Sequence, residues 1–360
     1  MKYKKVNQLI FYIKKNTFLC SFFLSLVCFS IIFLNLIDIN TYFEGLDLYF
    51  LNISFSIAAI FCMIFIILLI PSYPLLFIIY NGNSYNKLEK IGITITLNLS
   101  FYILIGYIGY FLGILLTGFY FFMCTFLFYL SLISFIIIKE KTCPGYYNLK
   151  INLSKEKNDN NYILSIKKFL RNKLSSNSSL LIIFLGLLCI LNIVRVSYFF
   201  GTDPWLHIFV IRRITENNIL PLEEYYGTVG LPIFGTVIHF FSGIDILLIP
   251  RYFVFYTFFV SALTFYNILM RVFKKREFAV FGVFLIEFAS LGFSYSMYQF
   301  WPTHLAIIQF FAIFLILYER HLRFIKEERP SRKKILSEIR WSYSIIIILF
   351  ISSLLTHSLI

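Results

Sequence analysis

Charge is scarce in this chain, and acidic charge is scarcest. Only 14% of the 360 residues are charged, with 18 Asp and Glu against 32 Lys and Arg. Soluble domains carry about 25% charged residues. Here 59% of residues are apolar and the mean hydropathy is +0.81, which excludes a soluble fold and predicts a bilayer. The six cysteines (Cys20, Cys28, Cys62, Cys124, Cys143 and Cys189) include no CxxC pair, so neither a zinc site nor a disulfide framework is supported. No small-residue cleavage site follows the basic start of Lys2, Lys4, Lys5, Lys14 and Lys15. The first apolar run therefore reads as a retained span, not a signal peptide. A Gly-rich phosphate loop and a Ser/His/Asp constellation are lacking as well.

The net charge of +14 does not imply a nucleic-acid partner, because of where the charge sits. Lys and Arg number five in 1–16, two in 81–90, nine in 139–178, four in 271–276 and eight in 320–340. All of these segments lie between apolar runs, the pattern of cytoplasmic loops under the positive-inside rule.

A span needs about 20 mainly apolar residues. Nine runs qualify: 17–37, 51–73, 92–115, 118–138, 180–200, 249–270, 278–297, 303–319 and 342–360. The expected fold is an all-α polytopic membrane protein of about nine spans. Its N-terminus is cytoplasmic and it belongs in the cell membrane. Residues 1–138 form a four-span module, 139–178 a basic cytoplasmic linker, and 179–360 a second module. The last run is still apolar at Ile360, so a terminal span and an incomplete second module both remain open.

Residues 228–243 test this topology. If they crossed, the twelve basic residues of 271–276 and 320–340 would fall outside. The segment is short and carries Gly230, Pro232 and Gly235 as breakers. It is expected to lie along or dip into the outer face without crossing. Residues 201–248 then form one long external loop with amphipathic juxtamembrane helices. Asp203, Glu216, Glu223, Glu224 and Asp245 outweigh Arg212 and Arg213 there.

The chemistry-bearing stretch is Gly201-Thr202-Asp203-Pro204-Trp205-Leu206-His207. Asp203 is a good helix N-cap and Pro204 fits the first helical position. His207 comes four residues after Asp203, so the two share one helix face. A carboxylate and an imidazole at a membrane surface can work as an acid/base pair or hold a divalent ion. The plainer readings are a helix cap for Asp203 and interfacial packing beside Trp205 for His207.

This stretch resembles the Asp-Pro-aromatic-x-His motif in the first external loop of oligosaccharyltransferase catalytic subunits. The spacing to Asn217, Asn218 and Pro221 fits too. The surface helices are similar to those of protein-mannosyl and aminoarabinose transferases. Residues 180–320 thus resemble the GT-C superfamily of integral-membrane glycosyltransferases. The resemblance implies transfer of a sugar from a polyprenyl-phosphate or polyprenyl-diphosphate donor to an acceptor on the external face. It implies that Asp203 is catalytic and binds or neighbours a divalent metal, magnesium or manganese. These families usually place a second acid in the next external loop, whereas Ser294–His304 here contains no Asp or Glu. His304 is the candidate ligand in its place, with Glu287 as the alternative.

Other candidates follow from position. Arg195 and Arg251 flank the external loop, where an Arg either snorkels or clamps a lipid phosphate. Glu287 is an ionisable group within a span, which marks function by default; Asn267 is a possible pairing partner. His357 lies near the outer end of the last run. Glu223 and Glu224 are either solvated or part of the site. Two rival readings stay open. A lipid-linked-sugar transporter or flippase would show repeats and broken helices. A non-catalytic membrane subunit of a glycan-assembly complex would not need Asp203. Membrane lipids are expected partners under every reading.

Overall fold

The computed structural model describes residues 17–37, 49–75, 85–142, 187, 203–222, 228–286, 300–326 and 332–357. Among the described residues every regular element is helical. We label the helices α1 (Thr17–Leu36), α2 (Tyr49–Leu68), α3 (Lys87–Phe111), α4 (Gly118–Thr142), α5 (Asp203–Asn217), α6 (Gly230–Ser242), α7 (Ile249–Phe273), α8 (Arg276–Phe284), α9 (Pro302–Lys326) and α10 (Arg332–Thr356). A short 3-10 turn at Ile246–Leu248 leads into α7.

Among the described residues five helical stretches are long and apolar enough to cross a membrane: Ile53–Leu75, Leu88–Phe111, Gly118–Ile138, Ile246–Phe273 and Pro302–Leu322. Each matches an expected run. Ser21–Leu36 and Ser342–Thr356 are apolar helices of shorter described length. The expected span 180–200 lies outside the described residues except for Leu187, and 287–297 lies outside them entirely. Large apolar side chains such as Phe61, Phe111 and Leu127 remain exposed. A bilayer rather than water suits such faces.

The third helix starts earlier than its apolar run predicts. Asn86 accepts a hydrogen bond from the Glu89 N–H at 2.9 Å, and the Glu89 carboxylate accepts one from the Asn86 N–H at 2.6 Å. This capping box satisfies two orphan donors and extends the helix one turn into polar sequence.

The bundle has two distinguishable ends. At one, which we call the basic end, Arg271 near the end of α7 meets Glu89 near the start of α3 and Glu319 late in α9. At the other, α1 ends beside the start of α4, where the Gly118 Cβ position lies 2.7 Å from Leu36. Helix α5 is tied to this second end at its finish, where the Leu116 N–H in the α3–α4 turn donates to the Asn218 carbonyl at 2.7 Å, and near its start, where His207 meets Phe300 just before α9.

The segment 228–243 corrects one expectation. It does not lie on a surface: α6 is buried along Gly230–Ile238 and again at Phe241 and Ser242. It packs against α1, α2, α3, α4, α5, α7, α9 and α10. The supposed breakers have other roles. Pro232 falls in the first turn, where a missing N–H breaks no helical bond. Gly230 and Gly235 permit close approach: a Cβ would meet Thr356 Cα at 2.7 Å in one case and Ile211 Cδ1 at 2.5 Å in the other.

Both ends of α6 nevertheless sit at the same end of the bundle. Its start is held by Tyr107 late in α3: the Tyr107 hydroxyl accepts from the Val229 N–H at 3.0 Å and donates to the Leu355 carbonyl at 3.1 Å. Its finish meets the end of α1, where Asn35 Nδ2 donates to the Phe241 carbonyl at 3.3 Å. Thirteen residues extend about 20 Å, short of a hydrocarbon core about 30 Å thick. Residues of 17–138 and of 203–308 meet in one hydrophobic core around it.

Candidate functional site

Helix α5 starts at Asp203, one residue before the Pro204 expected to open it. Its buried residues are Pro204, His207, Ile208, Val210, Ile211 and Ile214, and the helix packs against α6. Trp205, Leu206 and Phe209 are about half exposed on the other side. The polar second half carries Arg212, whose Nε donates to Glu216 at 2.7 Å on the exposed surface. The Arg213 guanidinium lies 5.1 Å from the Phe209 ring. The helix stops at Asn218, whose φ of 57° is left-handed, a conformation Asn tolerates. An amphipathic helix with an aromatic half and a basic half suits a membrane interface.

His207 is turned inward and is 3% exposed. Its ring stands edge-on to Phe300 at 5.7 Å, and Phe300 stands edge-on to Phe253 at 4.7 Å. These contacts bring α5, α7 and the approach to α9 together. Burial pushes the His207 pKa down to about 4, because a cation is poorly solvated there. The imidazole is therefore neutral at pH 7. It can orient a substrate hydroxyl through either ring nitrogen. Asp203 and His207 share α5 as expected. The Asp203 carboxylate lies outside the described side chains.

His304 lies in the first turn of α9, at the same end. It is 1% exposed, and neither ring nitrogen has a hydrogen-bond partner among the described residues. His357 lies just past the end of α10, with its Nδ1 buried and likewise unpaired among the described residues. Arg251 is exposed in the first turn of α7. His239 is used locally, with Nδ1 2.7 Å from the Ile244 carbonyl. Arg195, Glu223, Glu224 and Glu287 lie outside the described residues. Asn267, the possible partner of Glu287, donates through Nδ2 to the Leu88 carbonyl at 3.1 Å.

Among the described residues no three His, Cys, Asp or Glu side chains stand together as a metal site needs. His207 and His304 offer nitrogen, whereas magnesium and manganese favour oxygen donors. The described residues do not make that site, and no step below runs through a metal.

Sequence reasoning overlooked two buried polar groups. Gln309 Nε2 donates to Ser100 Oγ at 3.0 Å and to Ser352 Oγ at 2.7 Å, joining α3, α9 and α10. Tyr107 fixes the start of α6. A polar residue inside an apolar run was the available signal, but Ser, Thr and Gln are too common there to single out from one chain. No protein-family model, curated protein or solved structure matches this chain.

Proposed function

We propose that this chain is a polytopic membrane glycosyltransferase of GT-C type. It moves a sugar from a polyprenyl-phosphate donor to an acceptor at the end of the bundle where α5 begins. The observation that carries the reading is the arrangement of α5 and α6. An amphipathic helix opening on Asp203-Pro204 lies against a short helix whose two ends both stay at that end of the bundle. This is the layout expected of an external loop folded over a lipid-facing site.

In this reading about nine spans cross the cell membrane and the Asp203 end faces outward. The basic residues of α7, α8 and α9 then gather on the cytoplasmic side, in keeping with the positive-inside rule. The donor's polyprenyl tail stays in hydrocarbon while its phosphate sits at the interface. Asp203 takes the proton of the acceptor hydroxyl. The freed oxygen pair forms the bond to the anomeric carbon. The anomeric carbon–oxygen bond to phosphate breaks, and its electron pair leaves on the polyprenyl phosphate. Arg251, exposed at that end, and Arg195 are the candidates for holding the departing phosphate. His207 and His304 supply neutral hydrogen-bonding nitrogens.

The test is sugar transfer from a panel of labelled polyprenyl-phosphate sugars in membranes. Wild type, Asp203→Ala and Asp203→Asn are compared with and without chelator. Loss of transfer in both variants supports the reading, and chelator sensitivity adds a metal. Transfer that survives in both variants leaves Asp203 as a helix cap and favours the accessory-subunit reading.

A further inference from the structure

The basic end carries a second feature, separate from the Asp203 end. A groove of about 400 Å³ runs along α8 and, among the described residues, is lined by Arg276, Glu277, Val280, Phe281 and Phe284. Its wall is almost wholly apolar along two turns, with charge only at the helix start. Arg276 opens the helix, and its Nη2 is buried with no hydrogen-bond partner among the described residues. Lys275, at the cap position, provides no side-chain cap, so the first-turn N–H groups have no side-chain acceptor there. Lys274 and Lys275 are exposed beside it, and the Lys275 ammonium lies 5.5 Å from the exposed Phe278 ring. Among the described lining residues Glu277 is the one acid, against three adjacent cations.

This combination is that of an amphiphile site: cations and an uncapped helix start at one end and aromatic rings below. We propose that the groove holds an anionic phospholipid, with its phosphate at Arg276 and the start of α8 and an acyl chain along Val280, Phe281 and Phe284. Charge complementarity chooses the occupant. A zwitterionic lipid brings a second cation to a rim that already has three, whereas an anionic headgroup neutralises them. The run from Arg276 to Phe284 covers about 12 Å, within one leaflet of a core about 30 Å thick. Close packing keeps the wall fixed, since a Cβ at Gly282 would meet Leu269 Cδ1 of α7 at 2.4 Å.

The experiment is native mass spectrometry of the full chain in detergent. It is titrated with phosphatidylglycerol and, separately, with phosphatidylcholine of the same acyl chains. The expected result is phosphatidylglycerol binding about tenfold tighter, with about fivefold lost on Arg276→Gln. Phe284→Ala should weaken both lipids together. Lys275→Gln, at an exposed position, gives the same direction of change should Arg276→Gln fail to fold. Equal affinity for the two lipids overturns the proposal, as does a preference untouched by both charge variants. Competition by glycerol phosphate as effective as that by the lipid would mean a phosphate site without a lipid, and also overturns it. None of these readouts depends on sugar transfer.

Discussion

Arg271 grips Glu89 with two nitrogens, Nε to one carboxylate oxygen and Nη2 to the other at 2.8 Å, across 182 residues of sequence. Its remaining arm, Nη1, donates to Glu319 at 2.7 Å. Glu89 is fully buried and Glu319 nearly so. Three helices are thereby fixed at the basic end by one guanidinium. The fork geometry of Arg makes this possible, and Lys could not reproduce it.

Breaking this cluster from one side leaves an uncompensated buried charge, which costs about 3–5 kcal/mol. Arg271→Met should therefore lower thermal stability in detergent strongly. The triple variant Glu89→Gln, Arg271→Met, Glu319→Gln should recover much of the loss, because no unpaired charge remains. A triple variant no more stable than Arg271→Met would show that the charges are not what the helices depend on.

A second expectation concerns acid. The His207 pKa is pushed down to about 4 by burial, against about 6.5 in an unfolded chain. Between those values the unfolded state binds more protons than the folded one. Stability is therefore complete above pH 6.5 and falls as pH drops toward 4, by up to about 3 kcal/mol. His207→Phe keeps an aromatic edge against Phe300 and removes the proton site. Melting temperatures from pH 7.5 to 4.5 should fall less steeply in the variant. Parallel curves for the two proteins would place the acid sensitivity elsewhere.

Much of the helical plan was legible because apolar runs of about 20 residues have few alternatives in a bilayer. The start of α5 was legible to within one residue from the Asp203-Pro204 pair. The fate of 228–243 was only half so. Charge placement asked for two ends on one side of the bilayer, and in the structure both ends of α6 sit at one end of the bundle. Burial was missed, because Gly230 and Gly235 read as breakers when taken alone. Their real constraint comes from Thr356 and Ile211, which are distant in sequence for Gly230 and on another helix for Gly235. The Glu89–Arg271–Glu319 cluster failed to register for the same reason: each residue looks like an ordinary loop charge until the helices meet.

Those glycines give a graded test. At Gly235 the obstacle to a Cβ is the Cδ1 tip of Ile211, which can rotate away. At Gly230 it is the Thr356 backbone, with the Leu355 carbonyl oxygen at 2.9 Å. Alanine also gains about 1 kcal/mol of helix propensity over glycine. Gly235→Ala should therefore be close to neutral. Gly230→Ala should cost about 1–3 kcal/mol by overpacking and loosen the end of α10. Thermal unfolding of both variants decides the order. Equal effects would mean that α6 is not pinned at its start by α10.

His304 separates stability from function. A buried imidazole with both nitrogens unpaired among the described residues carries a desolvation cost of about 1–3 kcal/mol. Replacing it with a side chain of similar size and no polar atoms should remove that cost. His304→Leu is therefore expected to raise the melting temperature. If the unpaired nitrogens exist to meet a substrate hydroxyl or phosphate, the same change should cut sugar transfer at least tenfold, about 1.4 kcal/mol of lost transition-state binding. His304→Gln, which retains a polar group, should recover part of the transfer and none of the stability. A purely structural histidine predicts otherwise: transfer would follow the melting temperature, and Gln would rescue neither. Measuring both quantities on the same three proteins tells the two roles apart, because only a substrate-contacting His304 makes the more stable protein the less active one.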